Sequence, residues 1–182
     1  MMERLRSKRS MVALGALVAI ALAFIALTRD AERSTSRTPT HDHPSLFGAP
    51  PSCSRKSQPV RRATRAEQHG YLYAERYPYD PRDGIQAVLR FQEAQSCYQD
   101  SGRSQDATRV GQLASNLMVR INTDYASSRL VLETALGSEN WSVALSEVRR
   151  LLGLTEHIRG HAYVEHLWSI VGRVTIRAND AL

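Results

Sequence analysis

Seventeen consecutive residues, Met11 to Leu27, carry no charge and no strongly polar group. With Ser10 and Thr28 the stretch covers 19 residues, which as a helix is roughly 28 Å long, close to the hydrocarbon thickness of a bilayer. Arg4, Arg6, Lys8 and Arg9 precede it, with Glu3 as the only acid. Two fates compete for such a segment, a cleaved secretory signal and an uncleaved anchor. Cleavage needs small residues just past the apolar core. The core ends in Ile25-Ala26-Leu27-Thr28-Arg29, where the spacing is poor, and Ala21-x-Ala23 lies inside the apolar run. The expectation is a basic tail over residues 1–9 and a single-pass signal-anchor helix over residues 10–28. Four Lys or Arg residues lie before the helix and three, Arg29, Arg33 and Arg37, lie after it. That bias puts the N-terminus in the cytoplasm and the rest of the chain outside it. Arginine outnumbers lysine 22 to 2. This is the usage of GC-rich codons, so the expected setting is a bacterial inner membrane with a periplasmic domain.

The net charge of +6 is unevenly placed. Residues 1–63 carry 11 Lys and Arg against 4 acids, a balance of +7, and residues 64–182 carry 13 against 14, a balance of −1. A nucleic-acid-binding domain carries its own basic face. The basic excess here is read as belonging to tail and linker, and no nucleic-acid partner is expected.

Residues 29–60 hold Pro39, Pro44, Pro50, Pro51 and Pro59 among many Ser and Thr. Such a segment buries too little apolar surface to offset its ordering entropy, so it is expected to be a flexible spacer. His41-Asp42-His43 lies within it and is read as solvated rather than metal-binding, for want of further ligands in a fixed frame. Cys53 and Cys97 stand in no metal-type spacing. They either form a disulfide tying the linker to the domain, as an oxidising compartment allows, or are two separate thiols with Cys97 buried on a helix.

Residues 61–182 read as an all-α domain of about five helices, with no alternating strand pattern. Ala66, Gly70, Tyr73 and Tyr77 share one face, after which Pro78 and Pro81 shape a turn. Asp83 is a candidate N-cap for the next helix, whose inner face is Ala87, Phe91, Ala94 and Tyr98, closed by a left-handed cap at Gly102. Ser104 or Asp106 is a candidate cap for a third helix with Val110, Leu113, Leu117 and Ile121 inward. It either continues to Leu136 or breaks near Asn122-Thr123-Asp124. A fourth helix is expected over about 139–152, punctuated by Gly153 and Gly160, and a fifth over about 161–177 with Tyr163, Leu167, Ile170 and Val174 inward.

Small residues at close helix crossings, with a bulky residue four on, mark tetratricopeptide repeats. Ala87-x3-Phe91-x2-Ala94 resembles the second helix of such a repeat, and Gly70-x2-Tyr73 part of its first. Glu139-Asn140-Trp141-x2-Ala144-x3-Val148 resembles a second unit. The resemblance covers roughly residues 64–152 and is degenerate: Ala87 and Ala144 are 57 residues apart instead of one 34-residue period, and Leu151 stands at the second unit's last small position. It implies a TPR-like helical array that binds a protein or peptide in a groove, with Ala87, Phe91, Ala94, Trp141, Ala144 and Val148 packing the helices.

One constellation bears on chemistry. His157, His161 and Glu165 step by four and would stack on a continuous helix as zinc-type ligands, giving the alternative of a metal-binding protein or metal-dependent enzyme. Gly160 is expected to break that helix, and the order is not HExxH. No phosphate loop or nucleophile elbow occurs. The expectation is a non-enzymatic, membrane-tethered scaffold without cofactor. Of the cluster Tyr71, Tyr73, Tyr77 and Tyr79, Tyr71 and Tyr79 are the candidate partner-binding anchors.

Overall fold

A computed structural model of the chain describes residues 42–53 and 58–180. The tail over 1–9, the anchor helix over 10–28 and the first part of the linker lie outside the described residues. Among those described, five helices and no strand occur, and no helix is long and apolar enough to cross a membrane. The helices are α1, Pro59–Arg76; α2, Pro81–Asp100; α3, Ser104–Gly137; α4, Trp141–Thr155; and α5, Ala162–Asp180. Short connections make successive helices neighbours, and α2 also touches α4.

The caps explain where each helix begins and ends. Pro59 and Pro81 occupy the first turns of α1 and α2, where a missing N–H costs nothing. Pro81 therefore opens α2. The cap is Asp80, whose side chain accepts from the Arg82 amide at 3.0 Å, and Asp83 falls one turn inside. α2 ends in a Schellman motif: Gly102 is left-handed at φ 77°, its amide bonds Gln99, and the Arg103 amide bonds Tyr98. α3 ends the same way around Glu139, at φ 55°, with the Asn140 amide donating to Ala135. Neither Ser104 nor Asp106 caps α3, because both already lie in its first turn behind Arg103. Asp106 instead pairs with Arg103 and Arg109. α3 passes Asn122-Thr123-Asp124 without a break, for Thr123 bonds back to the Val119 carbonyl and Asp124 accepts from Tyr77. α4 starts at an Asn140 cap and runs through Gly153 to Thr155, where the Thr155 hydroxyl donates to the Leu151 carbonyl.

Two apolar clusters share α3. The N-terminal lobe joins α1, α2 and the first half of α3 around Ala63, Ala66, Ala87, Phe91, Ala94 and Val110. Its helices cross closely: a Cβ on Gly70 would stand 2.6 Å from the Phe91 ring. The C-terminal lobe joins Ile85 and Val88 of α2 and the rest of α3 to α4 and α5 around Ile121, Val148, Leu151, Leu154, Leu167 and Val174. Ala144 and Val148 are fully buried there and Trp141 is half-buried.

Residues 42–53 correct the expectation of a flexible spacer for their part of it. They form an irregular strap over both lobes. Leu46 is 2% exposed within the C-terminal core, and its carbonyl accepts from His157 Nε2 at 2.9 Å. The His43 ring meets Tyr163 edge-on at 4.7 Å. At the other end Cys53 and Cys97 are joined in a disulfide, Cα–Cα 4.8 Å, and the Cys53 amide donates to Ser96 Oγ. Proline and serine keep the strap irregular, while Leu46, Phe47 and Cys53 supply enough apolar anchors to seat it.

Candidate functional site

α1 begins Pro59-Val60-Arg61-Arg62, and its helical turn carries Arg61, Arg65 and His69 down one stripe at steps of four. Beside that stripe lies a groove of about 520 Å³ between α1 and α2, lined chiefly by Arg61, Arg62, Arg65, His69, Arg90 and Glu93. Glu93 is its buried carboxylate, 7% exposed. Arg62 Nε donates to its Oε1 at 2.6 Å and an Arg90 nitrogen to its Oε2 at 2.8 Å. Burial pushes the Glu93 carboxyl up, but the two guanidinium groups outweigh it and hold it below the usual carboxylate range. Glu93 therefore stays ionised and neutralises part of the groove. Among the described residues, Arg61 and Arg65 have no carboxylate partner. The groove presents planar guanidinium groups suited to a carboxylate or a similar oxyanion.

The opposite side of α1 is stitched to the core. Glu67 accepts from Arg109 at 2.6 Å and from the Tyr98 hydroxyl at 2.8 Å. The Arg109 hydrogen bond holds the Glu67 carboxyl below its ordinary value against the cost of burial. The same guanidinium reaches the Tyr71 hydroxyl at 3.5 Å, and Tyr71 packs edge-on against Phe91 at 5.3 Å.

The tyrosine cluster divides by environment. Tyr77 is buried and donates to Asp124 at 2.7 Å; burial first, then Asp124, raise its pKa well above the ordinary value. Tyr73 is half-buried. Tyr71 is 42% exposed and Tyr79, in the turn before α2, is 90% exposed. The groove and Tyr79 lie toward opposite ends of α1, so they form no single pocket.

The histidine candidates are not brought together. α4 ends at Thr155, so His157 lies in the connection and pins the strap through Leu46. His161 Nδ1 accepts from the Tyr163 amide at 3.2 Å, and its carbonyl accepts from Val164 and Glu165, so it starts α5. Gly160, at φ 67°, turns the chain between them, and Glu165 faces solvent. No group of three or more His, Cys, Asp or Glu placed to hold a metal ion occurs among the described residues. His41 lies outside them.

The arginine groove was missed because charge summed over the domain hides charge placed on one face. Arg61 and Arg62 belong to the first turn of α1 and not to the linker. The legible signal was Arg61-x3-Arg65-x3-His69.

No protein-family model matches this chain, no curated protein matches it in sequence, and no solved structure matches it in fold.

Proposed function

We propose that the chain is a membrane-tethered interaction or scaffold module that binds a protein partner through an acidic segment. In this reading residues 10–28 are the anchor, the helical domain is extracytoplasmic, and the five helices act as a TPR-like array without catalytic residues or cofactor. The observation that carries partner binding is the α1–α2 groove, where Arg61 and Arg65 stand exposed and without carboxylate partners among the described residues. Tyr79, almost fully exposed, adds the kind of rigid amphipathic side chain that anchors interfaces. The Cys53–Cys97 bond supports the extracytoplasmic placement, because disulfides persist in oxidising compartments. The close crossing of Gly70 on Phe91 supports the repeat resemblance. The length of α3 is a departure from it, for 34 residues equal an entire two-helix repeat.

The test is proximity labelling from the C-terminus of the full chain in native membranes. Extracytoplasmic proteins should be labelled, and Arg61→Glu with Arg65→Glu should cut the yield of a specific partner at least tenfold, with Tyr79→Ala weakening it less. Labelling confined to cytoplasmic proteins would overturn the orientation. A partner profile unchanged by the double arginine reversal would overturn the groove.

A further inference from the structure

α5 carries a second stripe of cations, on the flank beside α4. His166, Ile170, Arg173 and Arg177 step by four, three and four, so they share one line of the helix. That line borders a cavity of about 360 Å³, lined also by Leu136 near the end of α3 and by Trp141, the first residue of α4. Its volume lies at the small end of the range for ligand pockets. The floor is apolar. Ile170 and Val174 are buried, and Leu136 and the Trp141 indole are half-buried beside them.

The charge at this cavity is of one sign. Arg173 and Arg177 are exposed, and among the described residues neither pairs with a carboxylate and no carboxylate lines the cavity. Two arginines four residues apart on one helix face repel each other. Elsewhere in the chain a carboxylate relieves such crowding. Glu93 sits between Arg62 and Arg90, and Asp106 between Arg103 and Arg109. At Arg173 and Arg177 the lining supplies none. Arg177 stands 6.0 Å from the centroid of the Trp141 ring. Stacking of that kind engages the face of the guanidinium and leaves its N–H edges for an acceptor. The positive end of α4 begins at Trp141 and adds to the same potential.

The lining also selects the ligand. A carboxylate matches the paired N–H donors of a guanidinium. An apolar arm beside it takes the indole and Leu136 out of water, which is favourable. No Asn, Gln, Ser or Thr lines the cavity. The amide groups of a peptide would find no side-chain partner there other than the cations, and an unpaired buried amide is costly. We infer that this cavity between α3, α4 and α5 binds a small monocarboxylate with a single apolar arm, the carboxylate held by Arg173 and Arg177 and the arm laid on Trp141 and Leu136. The site is separate from the α1–α2 groove and does not depend on the function proposed for it.

Tryptophan fluorescence tests this in the full chain. The chain has two tryptophans, so Trp168→Phe leaves Trp141 as the sole reporter. Octanoate should shift the Trp141 emission saturably. 1-Octanol and octylammonium carry the same arm without the negative charge and should bind at least tenfold more weakly. Arg173→Gln should weaken octanoate at least tenfold. Arg149→Gln removes the same charge from an exposed position on α4 outside the cavity and should leave the affinity within about twofold. Equilibrium dialysis with labelled octanoate gives a second readout that does not rely on the indole. No saturable binding by either readout would overturn the site. Octanol binding as tightly as octanoate would reduce the cavity to an apolar surface and overturn it, as would equal losses in Arg173→Gln and Arg149→Gln. A peptide ending in a free leucine that binds where octanoate does not would give the cavity to a peptide C-terminus and overturn the ligand class.

Discussion

The two lobes share α2 and α3 but are held together by different means. The N-terminal lobe is packed with small residues, Ala63, Ala66, Ala87, Ala94 and Ala107 among them, which bring the helices close but bury little area each. It makes up the difference with a disulfide and with ion pairs on carboxylates that are largely buried, Arg62–Glu93–Arg90 and Glu67–Arg109. The C-terminal lobe relies on branched aliphatic side chains, with Ile121, Val148, Leu151, Leu154 and Leu167 fully buried. Among the described residues only two ion pairs reach its fourth helix or the turn after it, Arg82–Glu156 and Arg150–Asp124, and both are exposed or half-exposed. One lobe is therefore sensitive to redox state and acid, and the other to the volume of its core. The surfaces follow the same division. Arginine stripes the first lobe, whereas the second exposes Leu130, Trp168 and Ile176.

The largest expected effect comes from opening the disulfide. Its cysteines are 44 residues apart, and closing a loop of that size stabilises by about 4 kcal/mol on the chain-entropy account. Reduction, or Cys97→Ala, should lower the urea midpoint by a corresponding amount. Hydrogen exchange should rise first in α1 and the end of α2. Leu151→Ala should cost about 3 kcal/mol, since the side chain is fully buried and its removal leaves a cavity among aliphatic neighbours. Exchange in that variant should rise first in α4, α5 and the second half of α3. If both changes loosen every helix alike, α3 and the strap couple the lobes into one unfolding unit, and the contrast is one of composition alone.

The strap shows how far the sequence carried. Its prolines and serines predict a flexible spacer, whereas residues 42–53 are seated against the helices through Leu46 and Cys53. What composition hides is that irregular chain can still be seated: Leu46-Phe47 was an apolar pair in a polar stretch, and its site is built from His157 and residues on distant helices. The inward faces of the helices were legible because period 3.6 is local. Ala87, Phe91, Ala94, Ala144 and Val148 are all buried where the pattern put them. Caps were less legible, because several residues in one turn offer the same chemistry. Asp80 and Asp83 are equally good caps by type, and Pro81 in the first turn decides between them. The groove required knowing that α2 brings Arg90 and Glu93 beside Arg62, a juxtaposition 31 residues apart in sequence.

Acid should separate the lobes with the smallest of these effects. Glu67 and Glu93 both have carboxyl groups held below their ordinary value of 4.5, Glu67 chiefly by Arg109 and Glu93 by Arg62 and Arg90 against burial. A carboxylate whose folded value is depressed contributes stability that is fully present above its unfolded value. That contribution is lost as pH falls through the folded value, because the native ion pair must then be protonated. Stability should therefore be flat in this respect above about pH 4.5 and decline below it. Glu67→Gln should cost about 1 kcal/mol at neutral pH, a charged hydrogen bond discounted for the half-exposed Arg109. It should also flatten the acid limb of a urea-midpoint profile, and hydrogen exchange at low pH should rise in α1 before α5. An acid limb as steep in the Glu67→Gln and Glu93→Gln double variant as in the parent would remove these carboxylates from the acid response and, with them, the electrostatic half of the contrast between the lobes.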